Sequence, residues 1–560
     1  MKIRNIFISI SLGYVLISCS FLDVKPQVIC SETFYNTKEE VLYGLAGVYG
    51  VMSNEAFYGN YYSLMCSNVD DLCYFNRSTT ANYTNTYRHD ASATEIYAAW
   101  TEIYKGIRNA NAFMEAVPDT DFDKDGKLYN EARFLRAYYH FILAQAWGDV
   151  PMRTQAVKTI DDIMCAASPQ YEVLSWAASE MEECLALAED SLEDAPSRIC
   201  RNTIHGILAR VYMFIAGESV EGGDKKALYG KARDHAYAVI SSGKHNLAPE
   251  YSQVFINMIS DRYDKEYNES IWEVDFLGHR ASAESWSNGR IGDLIGLQSS
   301  GSSGYGSFLC NFAYGQYDGS LQLWDLYWTA DRTADETSLQ EITDKRQIWN
   351  MPPYNYAGCT SSSLGLNIPA STAKAPYIYA GKTTFDDPVT AQAIRNCGKW
   401  RREVEHEGLM DSKRLYTGIN FPLLRYSDVL LMFAEASLEY SGVPSQDAYD
   451  CVKQVRDRAG IKTIEFSEYD ADSFRTLIRN ERGRELCFEA IRKYDLIRWG
   501  IFKESMNGYV RMATDDRWSG SAKAAYAAAI GSAVQEKHIL LPVPSVELGV
   551  NTMLVQNPLW

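Results

Sequence analysis

The chain of 560 residues carries 54 Lys and Arg against 72 Asp and Glu, a formal charge of −18. That length exceeds what one hydrophobic core usually serves, so several sub-domains or a stacked helical array are expected. The acidic balance argues against a nucleic-acid partner and against nonspecific attraction to an anionic membrane.

At the start of the chain, Lys2 and Arg4 precede an apolar run from Ile6 to Ile17. The run is shorter than the ~20 residues of a membrane span, which predicts a secretory signal over residues 1–18. Leu16-Ile17-Ser18-Cys19 resembles the lipobox of bacterial lipoproteins, so Cys19 is expected to become a lipid-bearing N-terminus. Acyl chains would hold the protein on a membrane, at ~0.8 kcal/mol for each buried methylene. The plain alternative is a free cysteine behind an ordinary signal. Eleven further cysteines follow, none in a C-x-x-C pair or at a metal-finger spacing, and the sequence fixes no disulfide pairing. Most read as small buried hydrophobes.

Helical periodicity then recurs at about 94–116, 128–147, 169–190, 203–216, 227–241, 424–440, 446–458 and 473–500, so the helices come in pairs. In EARFLRAYYHFILAQAWGDVPM, residues 131–152, the stripe Phe134, Leu135, Tyr138, Phe141, Ile142 and Gln145 should face a core. Gly148 and Pro151 then predict an abrupt end. In 207–217 and 229–243, Ala209, Ala232 and Ala236 stand against Tyr212 and Phe214, which resembles a degenerate tetratricopeptide pair with Gly217 at its turn. Residues 280–420 are Gly-, Ser- and aromatic-rich without a sustained period and read as long loops. Long ordered loops on a helical scaffold are where binding function tends to sit.

DFDKDGKLYNEA, 121–132, places Asp121, Asp123 and Asp125 as the first half of a calcium loop does, but Ala132 stands where the bidentate Glu belongs. A solvated acidic loop before a helix N-terminus is the preferred reading, and no metal or cofactor is assigned. No placed carboxylate pair, Walker motif, G-x-S-x-G or H-E-x-x-H appears, so no catalytic residue is assigned. Glu481, Arg482, Glu485, Arg492, Asp495 and Arg498 resemble a catalytic cluster, but their helical spacing favours structural ion pairs.

Several blocks occur in a fixed order behind the lipobox. They are Trp100 with Ile103 to Ile107, Asn109-Ala110-Asn111, EARFLRAYYHF, Gly148-Asp149-Val150-Pro151, NFPLLRYSDVLLMFAEA, VRDRAG, ERGRELCFEAIRKYDLIRWG, LLPVPSVEL and Gln556-Asn557-Pro558. This pattern resembles the SusD/RagB family of outer-membrane nutrient-binding lipoproteins over nearly all the mature chain. The departures are small: Leu559-Trp560 replaces a frequent Gly-Tyr ending, and LPVP stands for LPIP. The resemblance implies a mainly α fold of tetratricopeptide-like helix pairs with long irregular loops carrying the ligand site. It divides the chain into the signal at 1–18, an N-terminal SusD-like region at 19–245 and a C-terminal RagB/SusD region at 246–560.

The resemblance further implies a noncatalytic, lipid-anchored, cell-surface protein of the outer membrane that passes oligosaccharides to a SusC-like TonB-dependent transporter. Peptide cargo is the alternative within the family, and a secreted glycoside hydrolase is the alternative outside it. Sugar recognition combines aromatic faces with planar amides and Arg. The 38 tyrosines and 12 tryptophans suit such a partly wet surface, although each aromatic can equally pack in a core. Two stretches carry the mixture: Tyr74, Phe75, Asn76 and Arg77 before the Trp100 helix, and Trp286, Asn288, Arg290, Tyr305, Phe308 and Tyr314 in the central region. In the family the glycan site is formed by loops at corresponding places, so these ten residues are the expected ligand contacts.

Overall fold

The computed structural model describes residues 34–78, 84–159, 161–190, 195–278, 287, 289–299, 311–328, 344–352, 395–405, 416–462, 465–515, 518 and 520–560. The first helix, α1 (Lys38–Tyr49), starts at a capping box in which Thr37 and Glu40 each accept from the other's backbone N–H. After it come α2 (Thr94–Ala116), α3 (Lys127–Trp147), α4 (Gln170–Cys184), α5 (Arg201–Ile215) and α6 (Lys225–Ser241), each packed on its predecessor. Short helices α7 (Tyr251–Ile259), α8 (Leu321–Trp328) and α9 (Lys345–Asn350) lie in the middle of the chain. α10 (Tyr426–Ser441) then packs on α6, joining the C-terminal part to the N-terminal stack. It also packs on α11 (Gln446–Ala459) and α12 (Ala471–Leu486), which precede α13 (Arg492–Arg498), α14 (Phe502–Met512), α15 (Ala522–Ala533) and α16 (Ser545–Val550).

The strands of the described residues form three two-stranded antiparallel ribbons: β1 (Cys73–Phe75) with β5 (Tyr317–Gly319), β2 (Val150–Pro151) with β3 (Ala167–Ser168), and β4 (Ser270–Val274) with β6 (Phe421–Arg425). Buried apolar side chains from Val41 to Leu554 form one continuous core, which includes the fully buried Trp147, Trp272, Trp400 and Trp518. The fold is thus mainly α-helical in pairs, and Ala209, Ala232 and Ala236 are fully buried between α5 and α6 as their size predicts.

Both glycines singled out in the sequence answer to close approach. Gly148 ends α3 at φ +78, and the C-terminal motifs dock on that end. Leu541 N donates to Ala146 O at 2.8 Å, the Trp147 indole donates to Pro542 O at 3.1 Å, and Asn557 Nδ2 donates to Trp147 O at 2.6 Å. Gly217 lies against the end of α13, where a Cβ would come within 2.8 Å of Arg498 O.

The expected helix 473–500 is interrupted. α12 stops at Leu486, Phe488 and Ala490 take left-handed angles (φ 67 and 58), and helix resumes at Arg492. Tertiary hydrogen bonds override the local periodicity here: Phe488 O accepts from the Trp400 indole at 2.8 Å, and Ala490 N donates to Asn68 Oδ1 at 3.3 Å. Between them Glu489 takes Lys399 Nζ at 2.6 Å and Arg425 Nη2 at 2.8 Å. The central 280–420 stretch, read as long loops, also holds β5, α8 and α9 among its described residues.

The charged run in α12 and α13 is structural, and its partners are mostly distant in sequence. Glu485 accepts from Arg425 Nη1 at 3.1 Å, Arg458 Nη2 at 2.6 Å and Arg346 Nη1 at 3.1 Å. Glu481 pairs with Arg346, Arg456 and Arg484, and Glu269 with Arg425 and Arg458. A second cluster joins Arg482 to Asp428 and Asp495, and Arg498 to Glu435 and Asp495. All of these side chains are buried. The arginines outweigh desolvation and hold Glu481 and Asp495 at about 2, and they hold Glu485 well below the usual carboxylate range.

Removing one member leaves buried charge without its counter-ion. Glu485→Gln is therefore expected to lower unfolding free energy by about 3–5 kcal/mol in a denaturant titration. The half-exposed pair Lys453 with Asp457 is the control, and Lys453→Ala should cost about 1 kcal/mol or less.

Candidate functional site

Two of the sequence-predicted stretches meet on a short ribbon organised by a buried carboxylate. Cys73, Tyr74 and Phe75 pair with Gly319, Asp318 and Tyr317. Asp318 is fully buried at the centre. Its Oδ1 accepts from Asn76 Nδ2 at 2.6 Å and Asn396 Nδ2 at 2.7 Å, and its Oδ2 accepts from Lys523 Nζ at 2.6 Å and Tyr74 Oη at 3.4 Å. Four donors compensate the desolvation of the charge. They come from β1 and the residue after it, the 395–397 segment and the first turn of α15, so one carboxylate fastens three parts of the chain to β5.

Above this floor the ends of separate segments converge. Arg77 Nη2 donates to Tyr314 O at 2.7 Å, and its other terminal nitrogen donates to the Asn76 side-chain oxygen. Tyr314 N donates to Asp293 Oδ1 at 3.3 Å, while Arg290 Nη2 pairs with Asp293 Oδ2 at 2.6 Å. Arg290 also reaches Glu55 at 3.4 Å, whose Oε2 accepts from Tyr416 Oη at 2.9 Å. Phe312 stands edge-on to Tyr314, with ring centroids 4.7 Å apart. Isolated bridges join Ser299 to Ala313 and Gly289 to Thr417, and Asn311 Nδ2 donates to Glu405 Oε2 at 3.1 Å.

The structure therefore brings Asn76, Arg77, Arg290 and Tyr314 together from two distant stretches. Tyr314 is 39 % exposed, and Arg77 is half-buried. Three expectations are corrected. Tyr74 is 0 % exposed, packed edge-on against Tyr509 and Trp518, and Phe75 is buried against Tyr317. Neither ring presents a face to solvent, because the strand that carries them is covered on both sides. Asn76 is also buried, and its amide is committed to Asp318 and Gly315 O. Trp286, Asn288, Tyr305, Phe308 and Cys19 lie outside the described residues.

Sequence reasoning missed Phe312, Asp293, Asp318 and Glu55. Phe312 had a readable signal, an aromatic two residues from Tyr314, whereas the acids are isolated in sequence. In the loop at 121–125, Asp123 accepts from Leu128 N at 2.9 Å and Tyr129 N at 2.7 Å, so it caps α3. Asp121 pairs with Lys124 at 3.0 Å on the surface.

Comparison with known proteins gives a consistent answer. Residues 268–560 match the model described as "SusD family", and residues 20–213 match one described as "Starch-binding associating with outer membrane". The chain is 26 % identical over 588 aligned residues to SusD-like protein P25 of Formosa agariphila, covering 100 % of this chain and 98 % of the relative. Among solved structures, a SusD homolog from Bacteroides thetaiotaomicron VPI-5482 superposes with a TM-score of 0.81 at 25 % identity, covering 95 % of this chain and 98 % of that one. A structure described as a laminarin binding SusD-like protein superposes with a TM-score of 0.64 at 18 % identity, covering 94 % and 100 %.

Away from the Tyr314 face, β4 and the residue that follows it carry two carboxyls raised by burial. Burial pushes Glu273 up to about 7 and Asp275 up to about 6. Glu273 Oε2 accepts from Asn420 Nδ2 at 3.1 Å and borders a small concavity of about 90 Å³ with Tyr263 and Asn268. A carboxyl raised in the folded state keeps a proton that the unfolded chain releases. Its stabilising contribution is present below the ordinary value of 4.5 and is lost as pH rises to about 7. Glu273→Gln is therefore expected to gain melting temperature relative to the unmodified protein as pH goes from 4.5 to 7.5. Paired thermal melts across that range check the sign, and a constant difference would assign the shift elsewhere.

Proposed function

Because the chain belongs to the SusD family, we propose that it is a noncatalytic, cell-surface lipoprotein that binds oligosaccharides and hands them to a SusC-like TonB-dependent transporter. The anchor in this reading is the lipidated Cys19, which places the protein on the outer membrane. The observation that carries the ligand assignment is the meeting of Arg77, Arg290 and Tyr314 on one polar floor. An exposed tyrosine ring offers the apolar face of a pyranose a flat surface, and the Arg77 guanidinium, held by Asn76 and Tyr314 O, offers hydroxyls its remaining N–H groups. Ser287, Gly289, Ser299 and Asn311 border the stretches that carry Trp286, Asn288, Tyr305 and Phe308, so these residues are proposed as further contacts at the same face.

The laminarin-binding relative supports carbohydrate over peptide as the cargo class. A noncatalytic role is supported by the state of the acids. Those in the α12 and α13 clusters are buried in ion pairs, and Glu273 is buried and hydrogen-bonded to Asn420. A hydrolase would need an acid and a second carboxyl flanking the sugar, whereas the carboxylates beside the Tyr314 face, Asp293 and Glu55, are both held by Arg290.

The test is a glycan and peptide array on the soluble form, followed by calorimetric titration of the best ligand. Tyr314→Ala should weaken that ligand about tenfold, the order of one lost aromatic contact with its area. Its melting temperature should stay nearly unchanged, because the ring is surface-borne. Trp286→Ala and Tyr305→Ala should do the same. Peptide hits would move the cargo to the other class, and shortened product recovered from the incubation would move the protein to the hydrolases.

A further inference from the structure

We infer that Cys73 and Cys397 form a closable disulfide that staples the floor of the ligand face. Their Sγ atoms lie 3.8 Å apart, a contact between residues 324 positions apart in sequence. Both side chains are fully buried, and both stand as free thiols among the eight described cysteines. A disulfide bond is about 2.05 Å long, so closure asks the sulfurs to approach by roughly 1.8 Å, within the reach of small side-chain rotations.

The backbone on each side is already held in place. Cys73 opens β1 opposite Gly319. Cys397 N donates to Tyr317 O at 3.4 Å, and its neighbour Asn396 bridges Asp318. The two cysteines thus approach each other from the chains that flank β5. Asn68 Nδ2 donates to the Cys73 sulfur at 3.3 Å, with Asp318 also close to both thiols.

The chemistry is a two-electron oxidation by thiol–disulfide exchange. One cysteine thiolate attacks a low-molecular-weight disulfide such as oxidised glutathione, forming a mixed disulfide and expelling one glutathione thiolate. The second cysteine thiolate attacks the protein sulfur of that mixed disulfide and expels the other glutathione. Two protein thiols lose two protons and two electrons, and one oxidised glutathione becomes two reduced molecules. Burial pushes both thiols up, so exchange is faster while the chain folds than after the core has closed.

The consequence is mechanical. A Cys73–Cys397 bond would fasten β1 to the segment that carries Asn396, so the Asp318 floor would gain a covalent tie beside its hydrogen bonds. Because it constrains a long loop of the unfolded chain, the bond should raise stability.

The test is peptide mapping without reduction after incubation with oxidised glutathione, both on folded protein and during refolding from denaturant. The expected result is a cross-linked peptide pair containing Cys73 and Cys397, two hydrogens lighter than the reduced peptides. It should be absent from Cys73→Ser and Cys397→Ser, and the oxidised protein should melt about 3 °C higher than the reduced form. Full alkylation of both cysteines after refolding in oxidised glutathione, or a cross-link from Cys73 to any other cysteine after either treatment, overturns the inference. The readout needs no ligand, so it stands apart from the glycan assignment.

Discussion

The structure depends on a set of arginine–carboxylate pairs placed in its interior. Arg346, Arg425, Arg456, Arg458 and Arg484 face Glu269, Glu481, Glu485 and Asp344, and the side chains are 8 % exposed or less. Such pairs add little net stability over apolar packing, yet each tolerates few alternative arrangements. Their residues come from the start of β4, α9, β6, α11 and α12, so satisfying the charges fixes how these elements meet. The same requirement explains why helix breaks between Leu486 and Arg492: Glu489 is needed by Lys399 and Arg425 more than by the helix.

The 395–405 segment carries that constraint to the Tyr314 face. At one end Asn396 joins Asp318 and the β1–β5 ribbon. In the middle Lys399 Nζ reaches Glu489, and the Trp400 indole reaches Phe488 O. At the other end Arg402 donates to Phe312 O at 2.7 Å, and Glu405 receives Asn311. The residues that display Tyr314 and Arg77 are therefore anchored to the ionic interior through ten positions of chain. A surface prepared in this way meets a ligand with little ordering cost, which is the physical advantage of a preformed site.

Much of the helical scaffold was legible because an apolar stripe at 3.6-residue spacing survives any tertiary context. Thr94–Ala116 and Lys127–Trp147 follow the periodicity within a residue or so. The interruption at Phe488 was not legible, because its causes, Lys399, Trp400 and Asn68, are far away in sequence. Tyr74 and Phe75 were read as a platform because a three-residue strand is too short to show a period of two. Arg77 and Tyr314 were legible as residue types suited to a sugar, while their meeting is set by the β1–β5 register. The acid that organises them, Asp318, sits between Tyr317 and Gly319 with no local signature.

The most direct measurement is a high-resolution structure of the protein soaked with the oligosaccharide that binds it best. The account predicts a pyranose ring lying against Tyr314, with its hydroxyls within hydrogen-bond distance of the Arg77 guanidinium. A sugar bound elsewhere, such as the groove of about 320 Å³ between Trp100, Tyr104, Arg153 and Val550, with the Tyr314 face empty, would contradict it.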